Sequence, residues 1–150
     1  MILNEILTKQ NVFTKILLQD GEKELSKALK VKIMRVRMAY SKIKKKFDEE
    51  VQEFTKELVP QELIDLNSKL DKTEIEELRF KELDNKINSE YQEFLFQKGN
   101  EEVLDVIDDS LTEEEYFEIV DVNSGNNTEI NGSKINAADF LEIIYDMFVK

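Results

Sequence analysis

The sequence predicts a mainly α protein: a long antiparallel helical hairpin with a short N-terminal helix before it and a small C-terminal α+β region after it. Three observations carry this. The 150 residues include only four Gly and one Pro, too few for the many turns of an all-β fold. An apolar stripe recurs every three or four residues from Leu25 to Leu58, which is the helical period. After Gly99 the texture changes to short apolar patches and a polar, turn-rich run. The expected division is 1–99 for the N-terminal helix and hairpin, and 100–150 for a small acidic α+β appendage.

The first helix is read from Ile2, Ile6, Phe13, Ile16 and Leu17 at roughly helical spacing. Asp20-Gly21 would close it, with Gly21 in the left-handed conformation that follows many helix ends. The second helix is the plainest feature of the chain. Leu25, Leu29, Ile33, Val36, Tyr40, Ile43, Phe47, Val51, Phe54 and Leu58 form one seam. The mean step of about 3.67 residues matches an eleven-residue repeat, so a nearly straight amphipathic helix is expected. Some 35 residues would span roughly 50 Å, which implies a rod or a hairpin.

Pro60 is suited to a helix start, and Glu62 and Asp65 just after it suit the dipole. A third helix is expected there, carrying Leu63, Leu66 and Leu70. Its rhythm stumbles at Asp71-Lys72-Thr73, and Thr73 with Glu76 forms a capping box for a fresh start. Phe80, Leu83, Ile87, Tyr91 and Phe94 continue that helix to Lys98. This segment should fold back on the second helix and cover its stripe.

Beyond Gly99, Val103, Leu104, Val106 and Ile107 fit strand or helix. Thr112 with Glu115 could cap a short helix through Val120, yet Phe117 to Val122 also alternates like a strand. Asn123 to Thr128 reads as a turn, with a returning strand over Ile130–Ile135. Asn136 caps a last helix carrying Phe140, Leu141, Ile144, Tyr145 and Phe148.

Composition narrows the chemistry. The chain has no Cys and no His, so a thiol nucleophile, a disulfide framework and the usual general base are all absent. The four glycines stand alone, and no phosphate-cradling loop is present. Nothing reads as a membrane span or as a basic signal-peptide leader at Met1–Leu7. Glu50/Glu53 and Glu62/Asp65 imitate the paired carboxylates of helical nucleotide pyrophosphatases that hold Mg²⁺, but the two pairs are separated by a short loop. Asp121, Asn123 and Gly125 open like a calcium loop, yet Gly125, Asn126 and Gly132 fall where such a loop needs a ligand, a glycine and a glutamate. No catalytic residue, metal or cofactor is expected.

Charge is the positive signal. The net charge is −12, but residues 23–46 hold ten bases against Glu24 alone. Lys27, Lys30, Arg35, Arg37, Lys42, Lys45 and Lys46 form a candidate basic partner-binding face on the second helix. Residues 99–150 carry fourteen acids against Lys134 and Lys150. Within them Asp105, Asp108, Asp109, Glu113, Glu114 and Glu118 form a candidate acidic partner-binding region. The plainer reading of the basic run is neutralisation by acids of the same molecule. The overall charge argues against nucleic acid.

The block Leu29-Lys-Val-Lys-Ile-Met-Arg-Val-Arg-Met-Ala-Tyr-Ser-Lys-Ile-Lys-Lys-Lys-Phe47, followed by Asp48-Glu-Glu, resembles a family of small tailed-phage proteins of unknown function. These place a lysine-rich helix before an acidic one and end in an acidic stretch and a short helix, as Ala137 to Ile144 would here. The likeness covers residues 25–58 and 101–148, and residue usage is similar to that of crAss-like phage proteins. The chain departs from the pattern at Lys32-Ile33, where the family tends to place a proline. The resemblance implies a structural or accessory role in a bacteriophage, such as an auxiliary capsid, ring or tail component, located in the virion or the host cytoplasm. Partners would be other proteins, chiefly virion components, with homo-oligomerisation left open and no membrane. The alternative is an acidic inhibitor of a host nucleic-acid enzyme that mimics DNA.

Overall fold

The computed structural model describes residues 1–19 and 21–150. It is mainly helical: α1 (Leu3–Leu17), α2 (Lys27–Leu58), α3 (Gln61–Ser68), α4 (Glu74–Gly99), α5 (Glu113–Val122), β1 (Thr128–Ile130), β2 (Ser133–Ile135) and α6 (Ala137–Phe148). The mainly α class with a small C-terminal α+β region therefore holds. Helix α2 runs unbroken for 32 residues, a rise of about 48 Å.

The chain forms two compact units, 1–44 with 102–150, and 45–101. This grouping differs from the expected division at residue 99. The reason lies in α2, whose first half joins one core while its second half joins another. Residues 102–150 accordingly group with α1 and the start of α2.

In the first unit, Leu29, Ile33, Val36 and Tyr40 of α2 share a core with Ile6, Phe13 and Ile16 of α1, Ile119 and Val122 of α5, and Phe140, Ile144 and Phe148 of α6. Phe13 and Phe148 pack with ring centroids 4.2 Å apart. Each such fully buried side chain contributes roughly 1.5–3 kcal/mol relative to exposure. The segment from 101 to 112 is neither helix nor named strand. It is held by single bridges, with the Val103 N–H donating to the Met1 carbonyl and that of Leu111 to the Phe148 carbonyl, each at 2.8 Å.

The α5 ambiguity resolves as a helix. Thr112 and Glu115 form both bonds of the capping box, and Glu113, Glu114 and Glu115 fill the first turn where the dipole favours acids. The C-terminal hairpin lies further along than the sequence suggested. The expected returning strand over 130–135 is split, and β1 pairs antiparallel with β2 around Asn131-Gly132. Those residues have φ of 51° and 82°, the conformation a two-residue turn between twisted strands requires.

Gly21 also has a different role from the one expected, while Asp20 lies outside the described residues. Helix α1 ends on Leu18, and the Gly21 N–H donates to the Val122 carbonyl at 3.2 Å. A Cβ on Gly21 would sit 2.1 Å from that oxygen. Close backbone approach, not left-handed geometry, requires glycine here.

In the second unit, α4 runs antiparallel to the end of α2. Phe54 stacks on Phe94 at 4.0 Å, and Glu50 pairs with Lys98 at 3.0 Å. This is the expected hairpin over the end of α2 alone, because α1, α5 and α6 cover Leu29 to Tyr40 where the returning segment was expected. The Thr73–Glu76 capping box opens α4 as expected. Its seam is shallower than the first unit's core: Phe47, Val51, Phe54 and Leu58 are half-buried, and Leu66 and Leu83 are the buried leucines. No described helix is long and apolar enough to cross a membrane.

Candidate functional site

Helix α2 turns about 100° per residue, so the buried set Leu29, Ile33, Val36 and Tyr40 defines one face. The opposite face carries Lys27, Val31, Met34, Met38, Lys42 and Lys45. Val31 is 38%, Met34 50% and Met38 62% exposed. A second, narrower apolar stripe therefore faces outward, set among bases. Among the described residues, Lys27, Arg35, Lys42, Lys45 and Lys46 are exposed and make no ion pair.

The other two bases predicted for this face are engaged sideways. Lys30 lies 3.6 Å from Glu24, and the Arg37 Nε donates to the Thr14 hydroxyl at 2.9 Å. Neutralisation within the molecule is thus selective. Lys32 reaches Glu115 at 2.6 Å and Lys23 reaches Asp121 at 4.0 Å. Burial works to raise the Glu115 carboxyl, but Lys32 and the Thr112 N–H together hold it below the usual range.

The predicted acidic region divides in the structure. Asp105, Asp108, Glu113 and Glu114 are exposed. Asp108 accepts from the backbone N–H and hydroxyl of Ser110, which hold its carboxyl below the ordinary value. Glu118 accepts the Ser26 N–H at 3.1 Å, just ahead of α2. Asp109 does not belong to a docking surface. Only 4% exposed, it accepts from the Tyr40 hydroxyl at 2.5 Å and from the Lys9 ammonium at 2.8 Å. A buried carboxylate needs such partners. Burial first, and the bond to Asp109 second, push the Tyr40 phenol well above its ordinary value. Lys9 completes the cluster by lying 5.6 Å from the Phe148 ring centroid.

The carboxylates that imitate a Mg²⁺ motif have other partners. Glu50 pairs with Lys98, Glu62 with Arg79 at 2.8 Å, and Asp65 accepts from Gln61 at 2.9 Å. Among the described residues, no group of three or more acids is placed to hold a metal ion. At the calcium-like sequence, the Asn123 side chain closes a turn by accepting the Gly125 N–H at 2.9 Å.

The outward stripe escaped the sequence reading, although Val31, Met34 and Met38 stand at i, i+3 and i+7. The lysines between them hid it, because the inner seam already accounted for the helix. Its chemistry suits a surface that is apolar at the centre and acidic at the rim. Methionines adapt to such partners through flexible, polarisable side chains. No protein-family model, curated protein or solved structure matches the chain.

Proposed function

We propose that this chain is a non-catalytic protein of the phage structural or accessory kind, and that it works by protein–protein contact through the outward face of α2. The single observation behind this reading is the exposed Val31–Met34–Met38 stripe among unpaired bases on a helix whose opposite face is already buried. Exposed apolar side chains that the fold does not use, in a rim of one charge, mark a surface shaped for association. The DNA-mimic alternative draws less support. Asp109, Glu115 and Glu118 are each committed to partners inside the molecule, which leaves a shorter acidic row.

Two measurements test the reading. Mass spectrometry of purified phage particles should find the chain at a fixed copy number per particle. A Met34→Ser, Met38→Ser variant should keep the wild-type melting temperature and lose incorporation. Wild-type incorporation by that variant would remove α2 from the role, and absence of the chain from particles would remove the virion role.

A further inference from the structure

The second unit carries a surface of the opposite character. At the α3–α4 junction Leu70 is fully exposed, Ile75 is 80% exposed and Leu78 63%. Asp71, Glu74 and Glu77 are exposed beside them and make no ion pair among the described residues. The bases nearby are largely engaged. Lys69 binds Glu76, Arg79 binds Glu62, and the Lys72 ammonium lies 5.3 Å from the Phe80 ring centroid. Among the described residues, Lys72, whose charge no carboxylate neutralises, and Lys81, exposed one turn on, still add positive charge against the three free acids. The junction therefore presents apolar side chains in an acidic rim, whereas α2 presents apolar side chains in a basic rim.

The geometry points to a second copy of this chain as the occupant of the α2 face, with the α3–α4 junction of one molecule docking on α2 of the next. This assignment rests on the proposed function of that face and names its partner. Two features favour it over an unrelated protein. Both surfaces have an exposed apolar centre, and their rims carry opposite unpaired charge, so contact would bury the one while pairing the other. Such a contact is heterologous, joining two different surfaces, and it propagates as a ring where its rotation closes and as a filament where it does not.

The test uses the full chain and two charge-reversed forms, Arg35→Glu with Lys42→Glu on the face and Glu74→Lys with Glu77→Lys at the junction. Wild-type molar mass by light scattering should rise with protein concentration and fall as salt is added. Each variant alone should keep its helical circular dichroism and associate more weakly by over about tenfold. Mixed together, the two should associate again in equal proportion, since the intact face of one meets the intact junction of the other and the two reversed rims are also opposite in charge. A molar mass independent of concentration would overturn the inference. So would variants that associate like wild type, or a mixture whose members stay apart. If the wild type is a monomer while Arg35→Glu with Lys42→Glu still abolishes particle incorporation, the self-docking is refuted and the docking role of α2 stands.

Discussion

Asp109 is the residue whose surroundings the sequence concealed most. One acid among fourteen in residues 99–150 gives no sign of which will be buried, because that depends on Lys9 and Tyr40, distant in the chain. Its contacts set an order of mutational effects. Asp109→Ala leaves the Lys9 ammonium and the Tyr40 hydroxyl unpaired and should cost about 3–5 kcal/mol. Tyr40→Phe keeps the ring and removes one bond, costing about 1–3 kcal/mol. Denaturant unfolding of both variants should rank them that way. The raised Tyr40 value also fixes a pH dependence. A phenol whose folded value lies above its ordinary 10.0 favours the folded state fully below pH 10, and the advantage shrinks as pH rises beyond it. Of the four tyrosines, the last to ionise should do so together with loss of helical circular dichroism. Ionisation of all four in a still-folded chain would contradict the buried assignment.

Glycine and the element ends show how far local signals reach. The capping boxes at Thr73 and Thr112 and the Asn136 cap are legible because cap and partner lie three residues apart. The Asn131-Gly132 turn was equally local, but the polar run before it drew the turn to the wrong place. Gly21 was not legible, since its constraint comes from Val122 at the end of α5, far along the chain. The two glycines should therefore respond differently to alanine. Gly132→Ala meets only an unfavourable φ and should cost about 1 kcal/mol. Gly21→Ala drives a methyl into a backbone oxygen and should cost about 1–3 kcal/mol or more. Thermal melts of the two variants compare them directly. On α2 the same contrast separates its faces. Ile33→Ala should cost about 2–5 kcal/mol, whereas Met38→Ala should stay within about 0.5 kcal/mol of wild type.

For the molecule as a whole, the helical class and the hairpin were legible because long periodic stripes report burial directly. What covers each part of a stripe was not. The seam from Leu25 to Leu58 reads as continuous, yet Tyr40 lies in the first unit's core while Phe54 stacks on Phe94 in the second. The half-buried state of Phe47, Val51 and Leu58 should appear in hydrogen exchange as faster amide exchange over 47–58 than over 29–40. The charge distribution had the right shape in sequence, but only the structure separates acids and bases paired at home from those left facing outward.

The outward face of α2 is most directly tested by methionine oxidation, because two of the chain's four methionines lie on it. In the isolated protein Met34 and Met38 should oxidise faster than the half-buried Met147. In the native assembly both should become protected while the rate at Met147 stays unchanged. Equal oxidation of Met34 and Met38 in the free and assembled states would contradict docking through this face.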